Sequence, residues 1–416
     1  MLTITKKILN KYDANIQKID ISNKNIEGIL DLNKFKKIKI LDCSNNKITQ
    51  IINLPLTLEY LYCSKNKINE LECLPDCLIG INCKKNPLYK LYYPFVVNPK
   101  KYPTKLTHLT FCDGFNQPVN MLANFITHLT FGGDFNQQID MLPPSITHLT
   151  FGWGFNQLVN MLPNSIIYLT FGNCFNQPVD MLPNSITHIT FSADFNQPVN
   201  MLPNSIIHLT FGPSFNQQVD MLPQSITHLT FGSSFNQLVD MLPPSITHLT
   251  FGAHFNQSVN MMVSSITHLT FGDYFNQPIN MLGTSITHLT FGKNFNQLVN
   301  MLPISITYLN LNCNNQYIIN NLHNNIKELV FNEGFNLELN NLPNSIEKII
   351  FDECSWFNKE LNCLPNFVKQ IQLPKYYNKQ IKKFPYELKK IICCEDYKYK
   401  QDFKNFSIET YVKFFY

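Results

Sequence analysis

The sequence predicts a β-rich solenoid, a chain wound into about 19 short coils whose strands stack as a parallel concave sheet while the convex side stays mostly looped or extended. Two observations carry this prediction. Close copies of the stretch Ser145–Asn164 follow one another every 20 residues from Leu106 to about Asn300. A fixed period of roughly 20 to 29 residues marks coils too small to bury an apolar face alone, so they must stack. Within each copy the pattern alternates: Leu149 and Phe151 fall on one side of a short strand, His148 and Thr150 on the other, as the two-residue period of a strand dictates. A solenoid lengthens by adding coils, so 416 residues imply one elongated body rather than two or three globular domains.

Residues 1–15 precede the first repeat, and Leu2, Ile4, Ile8, Leu9 and Tyr12 suit a cap over the first coil. From Ile16 the spacing LxxLxLxxNxL recurs. It reads Ile16/Ile19/Ile21 with Ile26, Ile38/Leu41/Cys43 with Asn46 and Ile48, Leu58/Leu61/Cys63 with Asn66 and Ile68, and Leu78/Ile81/Cys83 with Asn86 and Leu88. This spacing resembles the leucine-rich-repeat family. Its first copy departs by placing Lys24 where the Asn is expected, as terminal repeats often do. The Leu54-Pro55 and Leu74-Pro75 pairs resemble the short bacterial type, which implies an extended convex side. Residues 89–105, with Pro94, Pro99 and Pro103, stretch the period from 20 to 28 residues and read as a joint between two repeat styles, carried as a bulged convex loop.

The second style begins at Leu106. Strand signals start at Leu106 and then every 20 residues from Ile126 to Ile286, with degenerate ones at Ile306, Ile326, Ile346, Val368 and Leu388. The repeated text Phe-Asn-Gln-x-Val/Ile-x-Met-Leu-Pro-x-Ser-Ile-Thr-His-Leu-Thr-Phe-Gly resembles the FNIP repeat, a leucine-rich-repeat relative of social amoebae and of giant viruses that infect amoebae. The copies over 106–305 are two residues shorter than that family's unit of about 22, which implies a tighter turn before Leu-Pro. Some members of the family begin with an F-box that links substrate receptors to a ubiquitin ligase. The 15 residues before the first repeat are too few for one, so the resemblance leaves a ubiquitin-ligase role only through a separate adaptor. Degenerate repeats fill 306–394, and 395–416, rich in Tyr and Phe, reads as a C-terminal cap or tail.

Each column of the repeat has an expected task. Phe111 to Phe291 and Phe115 to Phe295 form an aromatic spine, filled in by Leu149-type and Val159-type residues. The Met121 to Met301 column reads as an adaptable filler of gaps. Asn116 to Asn296 read as a buried ladder that satisfies backbone groups where no regular strand does so. The exposed strand face carries His108, His128, His148, Tyr168, His188, His208, His228, His248, His268, His288 and Tyr308, with a row of Thr beside it. This is the candidate binding column. Repeat duplication alone, a contact surface that changes charge between roughly pH 5 and 8, and a metal column are its three readings, the last lacking an acid or Cys at matching spacing.

Charge and motifs narrow the function classes. All 33 basic residues are Lys, and residues 106–310 hold one of them, Lys293, against 8 acids. A nucleic-acid reader should show the opposite. Residues 1–105 carry 18 Lys against 9 acids, which suits solvated faces of small repeats. No secretory signal or run approaching the roughly 18 apolar residues of a membrane span is seen. Cys43, Cys63 and Cys83 take inward positions as small hydrophobes, and Cys73, Cys77, Cys393 and Cys394 lack the pairing of a zinc site. No GxSxG, Walker loop, HExxH or paired-carboxylate arrangement is present. The expectation is a soluble, cytoplasmic, monomeric scaffold without cofactors, catalysis, nucleic acid or membrane contact, binding protein partners through its concave face. The alternative is a structural or pH-responsive assembly element acting through the His column.

Overall fold

A computed structural model describes residues 4–69, 71, 74–87, 105–120, 122–299 and 302–411. The joint at 89–105 lies outside them apart from Lys105, as do Cys73, Met121, Met301 and the terminal Phe414, Phe415 and Tyr416. The chain divides into two compact units, Met1–Ile207 and His208–Tyr416. Each is a stack of coils joined by parallel strand pairs.

Every strand start read from the sequence is followed, two residues later, by a strand. In the first unit these are Lys18–Asp20, Ile40–Asp42, Tyr60–Tyr62 and Gly80–Asn82, then His108–Thr110 and its successors to His188–Thr190. The second unit runs from His208–Thr210 through Tyr308–Leu311, Glu328–Phe331, Lys348–Phe351 and Gln370–Gln372 to Lys390–Cys394. Pairing is in register, His128 beside His148, Leu129 beside Leu149 and Thr130 beside Thr150. Equivalent side chains therefore meet their own kind in the next coil. One further strand, Ser407–Tyr411, pairs in parallel with Lys390–Cys394, Ile408 beside Ile391. The dense aromatics around it masked the short alternation Ser407-Ile408-Glu409 in the sequence.

The return side of the coils is extended or turned. In the first coils Glu27–Asp31 pairs with Lys47–Ile52. One coil of the second unit inserts a short helix, Gln316–Asn320, where Asn315 accepts from the N–H groups of Tyr317 and Ile318 at 3.0 and 3.4 Å. At the N-terminus, helix Ile4–Leu9 leads to Tyr12, whose hydroxyl donates to the Asp20 carbonyl at 2.7 Å on the first strand.

The aromatic spine forms as the columns predict. Phe151 and Phe155 stack at 3.8 Å within one coil, and Phe131 to Phe151 and Phe135 to Phe155 follow at 5.6 and 6.0 Å between coils. The Phe, Leu, Val and Ile columns are almost wholly buried. Burying one such side chain is worth about 1.5–3 kcal/mol, which is why a coil is stable only with neighbours. Close stacking leaves little room after the first Phe, where most copies of the array carry Gly and two carry Cys112 and Ser192. A Cβ placed on Gly252 would lie 2.1 Å from the Gly232 carbonyl oxygen. Where Ser192 takes that position, its hydroxyl donates to the Phe171 carbonyl at 2.7 Å.

Two columns differ from expectation. The Asn ladder bonds as foreseen, the Asn156 N–H donating to Asn136 Oδ1 at 2.9 Å and Gln157 Nε2 to the same oxygen at 3.0 Å. It is half-buried or exposed, however, because it rims the spine at a turn. In the leucine-rich coils Asn66 and Asn86 are buried and Asn46 half-buried, and Asn66 accepts from the Ile48 N–H while donating to the Cys43 and Cys63 carbonyls. The Met column is not a gap filler. Met141, Met161, Met181 and Met201 are 65–66% exposed and Met221 to Met281 66–71%, since Val and Leu of the same coil already fill the space beside the Phe rings. Cys43, Cys63 and Cys83 are buried and free, and burial pushes their thiols up.

Phe235 is fully buried and Met241 is 67% exposed, so the two columns make a direct test. Phe235→Ala should cost about 3–5 kcal/mol in chemical denaturation, whereas Met241→Ala should change stability by less than about 0.5 kcal/mol.

Candidate functional site

The sheet face is built from three-residue strands whose middle residue is buried and whose outer two are half-buried or exposed. This brings the predicted column together in each unit. In the first, His108, His128 and His148 stack with centroids 4.0 Å apart, and Tyr168 continues the stack to His188 at 4.4 Å on either side. In the second, His208, His228, His248, His268 and His288 stack at 4.1–4.2 Å, ending on Tyr308 at 5.1 Å. The rings lie nearer one another than the strand spacing of about 4.8 Å. Stacking leaves most of these rings half-buried, with Tyr168 41% exposed.

A second group, missed in the sequence reading, fixes the rings. Where Thr directly precedes the His, its Oγ1 lies 2.8–2.9 Å from the ring Nδ1, as in Thr127–His128, Thr147–His148, Thr247–His248 and Thr287–His288, whereas Ile207 precedes His208. The same hydroxyls reach the carbonyl of the preceding coil, Thr147 to Thr127 at 3.2 Å and Thr267 to Thr247 at 3.1 Å. A hydroxyl has one hydrogen to give. Both contacts are satisfied together only when Nδ1 carries the ring proton, which leaves Nε2 as a hydrogen-bond acceptor. The signal was in the text: Thr precedes nearly every His of the column, and Tyr168 follows Ile167 instead. The Thr row expected beside the rings, Thr110 to Thr290, lies two residues further along and is half-buried.

Protonation of one ring is opposed by its surroundings. Burial holds the imidazoles of His108, His128, His148 and His268 below their ordinary value, and neighbouring rings add to the effect at His128, His148 and His268. His128, between His108 and His148, is pushed down to about 4. The face is consequently neutral at pH 7 along these rungs. The coils after 310 solve the same self-neighbour problem differently. There the two positions hold Glu and Lys in alternation, with Lys348 on Glu328 at 3.2 Å and Lys369 on Glu347 at 2.7 Å.

Among the described residues no group of three or more His, Cys, Asp or Glu is placed to hold a metal ion, and no helix is long and apolar enough to cross a membrane.

Comparisons with known proteins agree with the coil pattern. The FNIP Repeat signature matches residues 115–152, 138–174, 175–214, 195–234, 215–254, 235–263 and 278–314. Among solved structures, CroV588, described as a novel circular leucine-rich-repeat protein, is similar at 31% identity and a TM-score of 0.62, over 92% of this chain and 76% of that one. YopM from Yersinia enterocolitica WA-314 shares the fold at 16% identity and a TM-score of 0.50, over 94% and 85%. No curated protein matches in sequence.

The lowered imidazoles set a sign for pH dependence. Folding favours the neutral ring, so below the ordinary value of 6.5 the unfolded chain binds more protons than the folded one, and stability is lost as pH falls from 6.5 toward about 4. The melting temperature should drop across that window, and His128→Thr should reduce the drop. A melting temperature that stays level or rises between pH 6.5 and 4 would contradict the assignment.

Proposed function

We propose, for a chain that belongs to the FNIP-repeat family of leucine-rich-repeat relatives, a non-catalytic protein–protein interaction scaffold that engages its partner on the sheet face. The observation that carries this reading is the hydrogen-bonded imidazole column. Rings stacked at 4.0–4.2 Å and held through Nδ1 form a preorganised surface, and little side-chain freedom is lost when a partner binds it. Their Nε2 atoms, left without a proton in the tautomer that the Thr contacts select, accept hydrogen bonds. A partner segment that supplies N–H donors, from backbone or from Asn, Gln, Lys or Arg, is the chemical match.

The array supports this reading in a second way. Across residues 106–310 the only basic residue is Lys293, which pairs with Glu333 at 3.2 Å. The face therefore presents dipoles rather than charges, and repeat proteins use such continuous surfaces for binding. The free, buried thiols favour a reducing compartment such as the cytoplasm.

Replacing His228, His248 and His268 together with Thr keeps a strand-forming residue at each position and leaves the Phe spine untouched. In affinity capture from a cell lysate, the partner recovered with the native chain should fall by about tenfold or more with this variant, its circular dichroism unchanged. Undiminished capture would move the binding site off the sheet face.

A further inference from the structure

A second surface lies away from the sheet face, on the turns that return each coil to the next strand. In the second unit Met221, Met241, Met261 and Met281 stand 66–71% exposed at 20-residue intervals, and Leu238 is 58% exposed beside them. The residue just before each Met is Asp220, Asp240, Asn260 or Asn280, all exposed. Neither Asp forms an ion pair with a described residue, and residues 106–310 supply one Lys against 8 acids. Asp220, Asp240, Leu238 and Met241 line an open cleft of about 170 Å³ together with Gln218 and Gln237. The first unit repeats the arrangement with Met141, Met161, Met181 and Met201, next to Asp140 and Asp180.

Four large apolar side chains on successive turns form a patch of the kind that marks interaction sites, and Met is the side chain that adapts best to varied apolar partners. The stripe is restricted to the 20-residue copies. Asn53 and Cys73 precede Leu-Pro in the early coils, and Asn321 and Asn341 take the Met position later. Charge selects the occupant. A second copy applied stripe to stripe would set Asp against Asp, whereas cationic side chains would complete the uncompensated carboxylates. Spacing selects its conformation. Coils recur about every 4.8 Å, close to the pitch of about 5.4 Å of an α-helix, whereas same-side residues of an extended strand recur about every 6.7 Å and lose register within a few rungs.

We propose that the methionine and aspartate stripe of the return turns docks a basic amphipathic helix of a partner protein, its apolar side chains on the Met ladder and a Lys or Arg at the Asp220–Asp240 cleft. This surface is independent of the imidazole face, so one chain can hold two partner segments at once.

The test uses the full chain and two fluorescein-labelled synthetic helices of equal length, one of Leu and Lys, the other of Leu and Glu, followed by anisotropy. The Leu/Lys helix should bind and the Leu/Glu helix should not. Asp220→Asn with Asp240→Asn reproduces the Asn that neighbouring coils already carry, so the fold is kept. This pair should weaken binding about fivefold, less so in high salt. Met221→Gln with Met241→Gln should weaken it about tenfold or more, while the triple His→Thr variant of the sheet face should leave it unchanged. Equal binding of both helices, or binding insensitive to both pairs of substitutions, overturns the proposal. So does capture of phosphatidylcholine vesicles in place of the Leu/Lys helix, which would assign the stripe to lipid.

Discussion

In-register parallel hydrogen bonding between identical coils is the constraint on which the rest of the structure depends. Because Leu129 lies beside Leu149 and His128 beside His148, each residue must be compatible with its own copy one rung away. Few side chains meet that condition. Phe does so by offset stacking, Asn by accepting the next Asn N–H with its side-chain oxygen, Ser145 by donating to the Ile126 carbonyl at 2.6 Å, and Gly by leaving room for the neighbouring carbonyl. Like charges on neighbouring rungs repel, so they meet it poorly. This explains why the regular array is almost free of Lys, and why the later coils, which do carry charge, alternate Glu328 with Lys348 and Lys327 with Glu347.

The imidazole column satisfies the same condition only while neutral. Stacking at about 4 Å would set full positive charges against one another, and burial removes the water that would screen them. Where Thr precedes the His, it resolves the hydrogen-bonding side by bridging Nδ1 to the carbonyl of the coil before, as Thr147 does between His148 and Thr127. The Thr-His pair thus sets ring orientation and tautomer, and burial disfavours the charge. Those three properties are what a partner would meet.

Much of this was legible in the sequence because the period and the alternation within Leu149, Phe151, His148 and Thr150 report directly on which side a residue faces. The strand positions, the Phe spine, the inward cysteines and the outward imidazoles all follow from that geometry. The Met column was misread since hydrophobicity alone does not say whether a core already holds enough side chains; Val159, Leu162 and the Phe pairs fill it. The Asn ladder was placed too deep for a related reason, as the bonding it provides is needed at the rim as well as in the interior. The last strand, Ser407–Tyr411, lay in a segment too short and too aromatic for its alternation to stand out.

Coil stacking holds the sheet face as an imidazole ladder that resists protonation at His128, His148 and His268. Titrating the full chain with carbon-13 label in the His rings tests it most directly. The rings of His128, His148 and His268 should acquire protons only below the ordinary value of 6.5, with His128 the last of them, near pH 4. Protonation of these rings at or above pH 6.5 would mean that the ladder is neither buried nor coupled as described, and the account of the face would fail with it.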